Sequence, residues 1–290
     1  MTTAAFKSVL VIAATLSFAS TAPGQTVLFS DNFNRANNDV LSAETTGMAG
    51  TLAPLNYLET WQAGNPGNAS ILQINNNTLS KIGTGMGIGA LDHNFTDAAI
   101  LAGGGFRVAM DVTVGTSGDD LPDRYGGFGV GLSLAEVNGF QDENDTDFGP
   151  RGTISNVGSQ VDQDLYGHKG VADFYISLSL QNNLQIFKGG LLEGQYAVTP
   201  AANRTVEVEF SFADFNAGSQ VNFAVWFEGA PVTGSFFNWS GTDQNYLGFS
   251  LRSSTVVIDN LTISAIPEPS TLALLALGAG LWIAQRRQAP

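Results

Sequence analysis

Every second residue is apolar along run after run of this chain. From Phe106 to Val114, residues Phe106, Val108, Met110, Val112 and Val114 fall on one side of an extended backbone, with Arg107, Ala109, Asp111 and Thr113 on the other. A period of two belongs to a β-strand with one face in a core. The pattern returns at Phe128, Val130, Leu132 and Leu134, and at Phe174, Ile176, Leu178 and Leu180. It recurs at Val206, Val208, Phe210 and Phe212, at Val221, Phe223, Val225 and Phe227, and at Leu247, Phe249 and Leu251. Asn182-Asn183 separates two such runs, and Asn tolerates the positive φ of a tight hairpin; Glu228-Gly229 marks another turn. No stretch ahead of the C-terminal tail carries a helical period. Many strands, 34 glycines and Gly/Asn/Asp punctuation predict an all-β fold, an antiparallel sandwich.

The two ends read differently. Lys7 gives a positive start, Val9 to Phe18 is apolar, and Ala19 to Gly24 supplies small residues for signal peptidase, with Ala19, Ala22 and Gly24 as alternative cleavage points. Residues 1–24 are therefore expected to be a signal peptide. At the other end stand Pro267-Glu268-Pro269-Ser270, an uncharged run from Thr271 to Ala284, and Arg286-Arg287. The prolines forbid regular helix or central strand. The apolar run predicts a transmembrane helix, and the arginines hold its far end on the cytoplasmic side. An ordinary tail anchor is the other reading. This three-part tail, 267–290, closely resembles the PEP-CTERM sorting signal of Gram-negative, exopolysaccharide-making bacteria. The resemblance implies transient anchoring in the inner membrane, cutting by an exosortase near Pro267, Glu268 and Pro269, and release or re-attachment at the envelope or extracellular matrix.

Residues 25–266 remain as one large β domain. Losing Lys7, Arg286, Arg287 and Glu268 turns 12 basic and 26 acidic residues into 9 and 25, a net charge of −16. So acidic a body is not built for nucleic acid or anionic membrane. The chain has no cysteine, which excludes thiol catalysis and Cys-based zinc sites. A domain of this size does not need disulfides to bury a core.

Phe29-Ser30-Asp31-Asn32-Phe33-Asn34-Arg35 opens the body and Val257-Ile258-Asp259-Asn260-Leu261-Thr262-Ile263 closes it. Both resemble the terminal strands of concanavalin A-like jelly-roll domains, the lectin/glucanase fold, where first and last strands lie side by side. Val221 to Val232 resembles that fold's penultimate hairpin. The resemblance implies a jelly-roll β-sandwich; an immunoglobulin-like sandwich is the alternative.

Chemistry is sparse. A retaining glycosidase needs two carboxylates flanking the scissile bond. In laminarinase-like enzymes these lie on one strand as Glu-x-Asp-x-x-Glu. The nearest stretch, Glu143 to Phe148, has Phe148 where the last Glu should stand. Glu207 and Glu209 share a strand face opposite Val206 and Val208, which reads as a solvated face. His93 and His168 lie in polar, loop-like contexts without a nucleophile motif. Gly83, Gly85, Gly87 and Gly89 are spaced by two, so they form no dinucleotide fingerprint and read as a closely packed strand or loop.

Two acidic stretches are candidate metal sites: Asp119-Asp120-Leu121-Pro122-Asp123 and Asp142 to Asp147. In the second, Asp142, Asn144, Asp145 and Asp147 offer the hard oxygens that calcium takes, although Asp147 stands where an EF-hand loop has Gly. Calcium there would be structural. Trp226 falls on the outward face of its strand, and Tyr57, Trp61, Trp239 and Tyr246 sit in irregular segments, as sugar-stacking aromatics or as caps of the sandwich. The resulting expectation is a non-catalytic, exported domain that binds polysaccharide or adheres. The alternative is a divergent glycoside hydrolase or lyase acting on matrix glycan.

Overall fold

The computed structural model describes residues 25–38, 40–59, 71–82, 87–115, 124–139, 168–199 and 204–267. In chain order the strands are β1 (Thr26–Asp31), β2 (Met48–Ala49), β3 (Tyr57–Glu59), β4 (Ile71–Asn75), β5 (Thr78–Ile82), β6 (Gly87–Leu91), β7 (Gly105–Val114) and β8 (Tyr125–Leu132). Then come β9 (Phe174–Ser179), β10 (Asn183–Lys188), β11 (Leu191–Ala197), β12 (Thr205–Ser211), β13 (Gln220–Phe227), β14 (Ala230–Asn238), β15 (Tyr246–Arg252) and β16 (Val256–Ala265). Three short helices interrupt them: α1 (Ala98–Gly103), α2 (Leu134–Gly139) and α3 (His168–Val171).

The strands form two antiparallel sheets. The first runs β14-β13-β12-β7-β16-β1-β2, with the β4–β5 hairpin joined to β16 through Leu79 and Ile258. The second runs β11-β10-β9-β8-β15-β6-β3. The first and last strands are neighbours, Thr26 opposite Ala265 and Asp31 opposite Leu261. This is the jelly-roll sandwich that the terminal motifs resemble. Between the sheets lies one core, in which Phe106, Phe174, Phe210, Phe223, Phe237 and Trp239 meet edge-on or tilted.

The alternation holds best in the first sheet. On β7, Phe106, Val108, Met110, Val112 and Val114 are buried, while the residues between them are half-buried or exposed. β12 and β13 repeat this pattern. Glu228 and Gly229 both have positive φ, 52° and 75°, as a two-residue turn of the primed kind requires. Asn182 has a φ of 56° and closes the β9–β10 hairpin, while Asn183 already belongs to β10. Gly87 and Gly89 make room for Leu72: a Cβ on either would approach a Leu72 methyl to 2.7 or 2.6 Å.

One expectation is corrected. Short helices without a full helical period lie between the strands, and Leu134 is not the last apolar residue of a strand. β8 ends at Leu132, and Leu134 is the exposed first residue of α2. The cause is local: the Glu136 N–H donates to Ser133 Oγ (3.1 Å) and the Ser133 N–H to Glu136 Oε2 (2.7 Å), a capping box that starts a helix. The second sheet also departs from one-faced burial, since β6, β8, β9 and β15 are buried on both faces. α2, α3 and Ala172 pack outside it and make a partial third layer.

The segment 1–24, expected to be a signal peptide, and the run 271–284 lie outside the described residues. Among the described residues no helix is long and apolar enough to cross a membrane.

Candidate functional site

The outward face of the second sheet gathers hydroxyls that sequence parity assigns to solvent. Strand register puts Ser250, Gly127 and Ser177 in one cross-strand row. The next row holds Gly248, Gly129, Tyr175 and Phe187. Glycine forms the floor because nothing larger fits: a Cβ on Gly127 would stand 2.1 Å from the Ile176 carbonyl oxygen, and one on Gly129 2.7 Å from the Ala172 Cβ. Above this floor the hydroxyls of Tyr175, Ser177 and Ser250 are buried and make no hydrogen bond of ordinary geometry among the described residues. Burial drives the Tyr175 phenol well above its ordinary value, reinforced by Tyr125; the Ser250 hydroxyl nearby opposes that rise. The Lys169 ammonium lies 4.4 Å from the ring centroids of both Tyr125 and Phe187, a cation held on two aromatic faces.

Such a patch is chemically unusual for an interior. A buried hydroxyl with no partner costs about 1–3 kcal/mol, so three on one face call for ordered water, or for a hydroxylated ligand admitted when the cover over them opens. Tyr125 and Tyr175 beside them are themselves buried, and the Tyr125 face already carries Lys169.

Other polar clusters among the described residues find most of their partners within the chain, although Arg35 Nε and Arg107 Nε stay buried without a hydrogen bond. Asp31, fully buried on β1, receives Arg35 through two bonds of 2.7 and 2.9 Å and the Tyr57 hydroxyl at 2.8 Å. Tyr57 is on the second sheet, so this triad pins the two sheets together, and burial raises the Tyr57 phenol above its ordinary value. It accounts for the Asp-Asn-Phe-Asn-Arg motif as structure. Asp173 sits just ahead of β9, where its Oδ2 accepts from the Ser240 N–H at 2.9 Å. Burial pushes its carboxyl up from 3.8 to about 6, with Glu136 adding to the rise and Ser240 opposing it. Asn245 binds the Gly131 N–H at 3.0 Å and the Phe95 carbonyl at 3.1 Å, which fixes the neighbouring loops.

Glu207 and Glu209 flank one cation, Arg107, as ion pairs on a half-exposed face. That guanidinium lies 5.7 Å from the Trp226 ring, which is half-buried rather than free. Trp239 and Tyr57 are core residues, and Tyr246 packs against the outer-face cluster. Trp61 lies outside the described residues. His93 faces Asp97 at 3.0 Å, and His168 opens α3.

The acidic stretches, Asp119 to Asp123 and Asp142 with Asn144, Asp145 and Asp147, lie outside the described residues. So do Glu268, Pro269, Arg286 and Arg287; Pro267 is half-buried at the end of the sandwich. Among the described residues no group of three or more His, Asp or Glu could hold a metal ion. Sequence reasoning missed Tyr175, Ser177 and Ser250. The faint signal was the Tyr-Gly-Gly-Phe-Gly run of β8, too poor in side chains to be an ordinary solvent-facing strand.

Residues 265–288 match the PEP-CTERM protein-sorting motif. The chain therefore carries this motif at its C-terminus, and the motif marks an exported protein of Gram-negative bacteria with a terminal membrane-anchoring segment. No curated protein sequence matches the chain at a significant level. Among solved structures, the winged bean acidic lectin complexed with methyl-α-D-galactose is 10% identical with a TM-score of 0.39, covering 79% of this chain and 96% of that one. A legume lectin-like domain from Entamoeba histolytica is 10% identical with a TM-score of 0.37, covering 72% and 88%. A human SPRY domain is 12% identical with a TM-score of 0.35, covering 66% and 94%.

Proposed function

We propose that this is an exosortase-sorted protein of the cell envelope or extracellular matrix whose sandwich binds a hydroxylated ligand, a sugar unit of a polysaccharide, without chemical turnover. The export half of the reading is supported by the tail. The first part of the chain is removed by signal peptidase, the C-terminal run halts in the inner membrane, and exosortase cuts near Pro267, Glu268 and Pro269. Glu268→Ala is expected to leave full-length precursor in the membrane; normal processing of that variant would count against it.

The observation that carries the binding half is the trio of buried hydroxyls, Tyr175, Ser177 and Ser250, which lack a well-formed hydrogen bond on the glycine floor of the second sheet and which a ligand reaches when the cover over that face opens. The alternative, a glycoside hydrolase or lyase, calls for two converging carboxylates. Among the described residues the carboxylates with notable surroundings are otherwise engaged: Glu207 and Glu209 by Arg107, Glu136 by its helix cap, Asp173 by Ser240. The acidic stretch at 142–147 supplies calcium ligands that steady the domain in this reading.

Glycan-array binding by the 25–266 domain, with calcium and with chelator, tests it. Tyr175→Phe is the informative variant. Removing an unbonded buried hydroxyl is expected to leave stability unchanged or raised by about 1 kcal/mol, yet to weaken glycan binding about tenfold. Unaltered binding by a stable variant would move the site elsewhere; sugar release by the native domain would favour the hydrolase.

A further inference from the structure

The sorting motif starts inside the folded domain. Its match begins at residue 265, while β16 ends at Ala265. Ala265 is 4% exposed and lies opposite Thr26 of β1 and Phe106 of β7. One residue on, the Ile266 N–H donates to the Gly105 carbonyl at 3.1 Å. The Ile266 carbonyl runs so close to α1 that a Cβ on Gly103 would stand 2.0 Å from its oxygen, and a Cβ on Gly105 would meet the Ile266 side chain at 2.7 Å. Gly103 thus admits the Ile266 backbone and Gly105 its side chain. Pro267 follows at once, with no linker between sandwich and motif.

Membrane insertion makes that tightness matter. Only Pro267, Glu268, Pro269 and Ser270 separate Ile266 from the apolar run. At ~3.3–3.6 Å per residue they reach about 14 Å at most. The α1 end of the sandwich, with Leu101 and Val27 exposed beside the last strand, is therefore the end presented to the membrane and to the processing enzyme. Peptide clefts take their substrates as extended chain, by main-chain hydrogen bonds to residues around the reacting bond. Here the residues ahead of Pro267 already spend those bonds on Gly105 and on the ladder of β16.

We propose that Ala265 and Ile266 are a releasable strap, which withholds the sorting motif from the membrane enzyme until they lift from Gly103–Gly105 and Thr26. The proposal rests on the exosortase reading above and adds to it a rate-controlling contact made by this chain. Terminal residues of a strand open locally far more often than the core, so the strap delays processing without preventing it.

The test uses the full chain in cells that carry an exosortase, followed by pulse-chase of the cut. A short Gly/Ser linker between Ile266 and Pro267 leaves the strap bonded but frees the motif, and processing is expected to speed up roughly tenfold. Thr26→Cys with Ala265→Cys closes the last rung: antiparallel partners stand about 4.5–5.5 Å apart at Cα, within disulfide range. The oxidised form is expected to be cut slowly and to regain the native rate with reductant. The same molecule thereby controls for its own folding. With the linker added, the disulfide is expected to lose its effect. A linker that leaves the rate unchanged overturns the strap, and one that slows it shows instead that the enzyme grips the folded end. If the native chain stays uncut while a second chain bearing such a motif is processed, the exosortase reading fails and not the strap alone.

Discussion

Burial moves the Asp173 carboxyl from 3.8 up to about 6 against the pull of its Ser240 bonds. An acid whose folded pKa is raised binds its proton more tightly in the native state. Its contribution to stability is complete below pH 3.8, declines between 3.8 and 6, and is gone above that. At 1.36 kcal/mol per unit, the span amounts to about 3 kcal/mol. Asp173→Asn keeps an oxygen for the Ser240 N–H and removes the titration. Urea unfolding of both proteins between pH 4 and 8 is expected to show the native chain losing up to about 3 kcal/mol relative to the variant as pH rises. A difference that stays flat with pH would place the shift elsewhere. Asp31 shows the opposite solution to burial. Arg35, the Tyr57 hydroxyl and the Phe33 N–H surround its carboxyl, which becomes part of a bridge between sheets. Its motif was legible in the sequence as an opening strand. The partner Tyr57 was not, because it comes from another sheet 26 residues away.

At the scale of elements, alternation names strands well where one face meets water, as in β7, β12 and β13. It fails to name faces where a third layer covers the sheet. β9 and β15 hide both sides, so Tyr175, Ser177 and Ser250 carry the parity of solvent-facing residues and are buried nonetheless. The covering helices were illegible by period, since α2 and α3 are six and four residues long, too short to establish one. α2 was readable by another signal: Ser133 and Glu136 stand at capping-box spacing. Ser133→Ala is expected to cost about 1 kcal/mol in unfolding free energy. Because the two bonds are reciprocal, Ser133→Ala with Glu136→Ala is expected to cost less than the two single changes added together. Strict additivity in chemical denaturation would mean that the cap contributes nothing as a unit. Val137, buried against the outer face, makes α2 part of the cover over the hydroxyl patch, so the same variants are also expected to loosen that patch.

For the whole molecule, the pairing of first and last strands decides how the sandwich closes. β16 lies between β7 and β1, so the last strand among the described residues is interior to the first sheet, and β7 and β1 are joined only through it. The order of strands in the sheet is therefore independent of where the chain is cut, provided that β1 and β16 both survive. The turn at Glu228-Gly229 is a suitable place to cut: a Cβ on Gly229 would meet nothing within 4 Å, and the turn joins β13 to the edge strand β14. A permutant of the 25–266 domain, with Ile266 joined to Gln25 by a short linker and new ends at 228 and 229, is expected to unfold in one cooperative transition. It is also expected to keep the glycan binding of the parent. Deleting 25–31 instead removes Asp31, Phe29 and Leu28 from the core and exposes the long edge of β16; that chain is expected to lose cooperative unfolding and to aggregate. If the deletion folds and the permutant does not, then the sandwich is held by chain order around β13–β14 rather than by closure at β1–β16. Orientation at the membrane would in that case be set by a different end of the molecule.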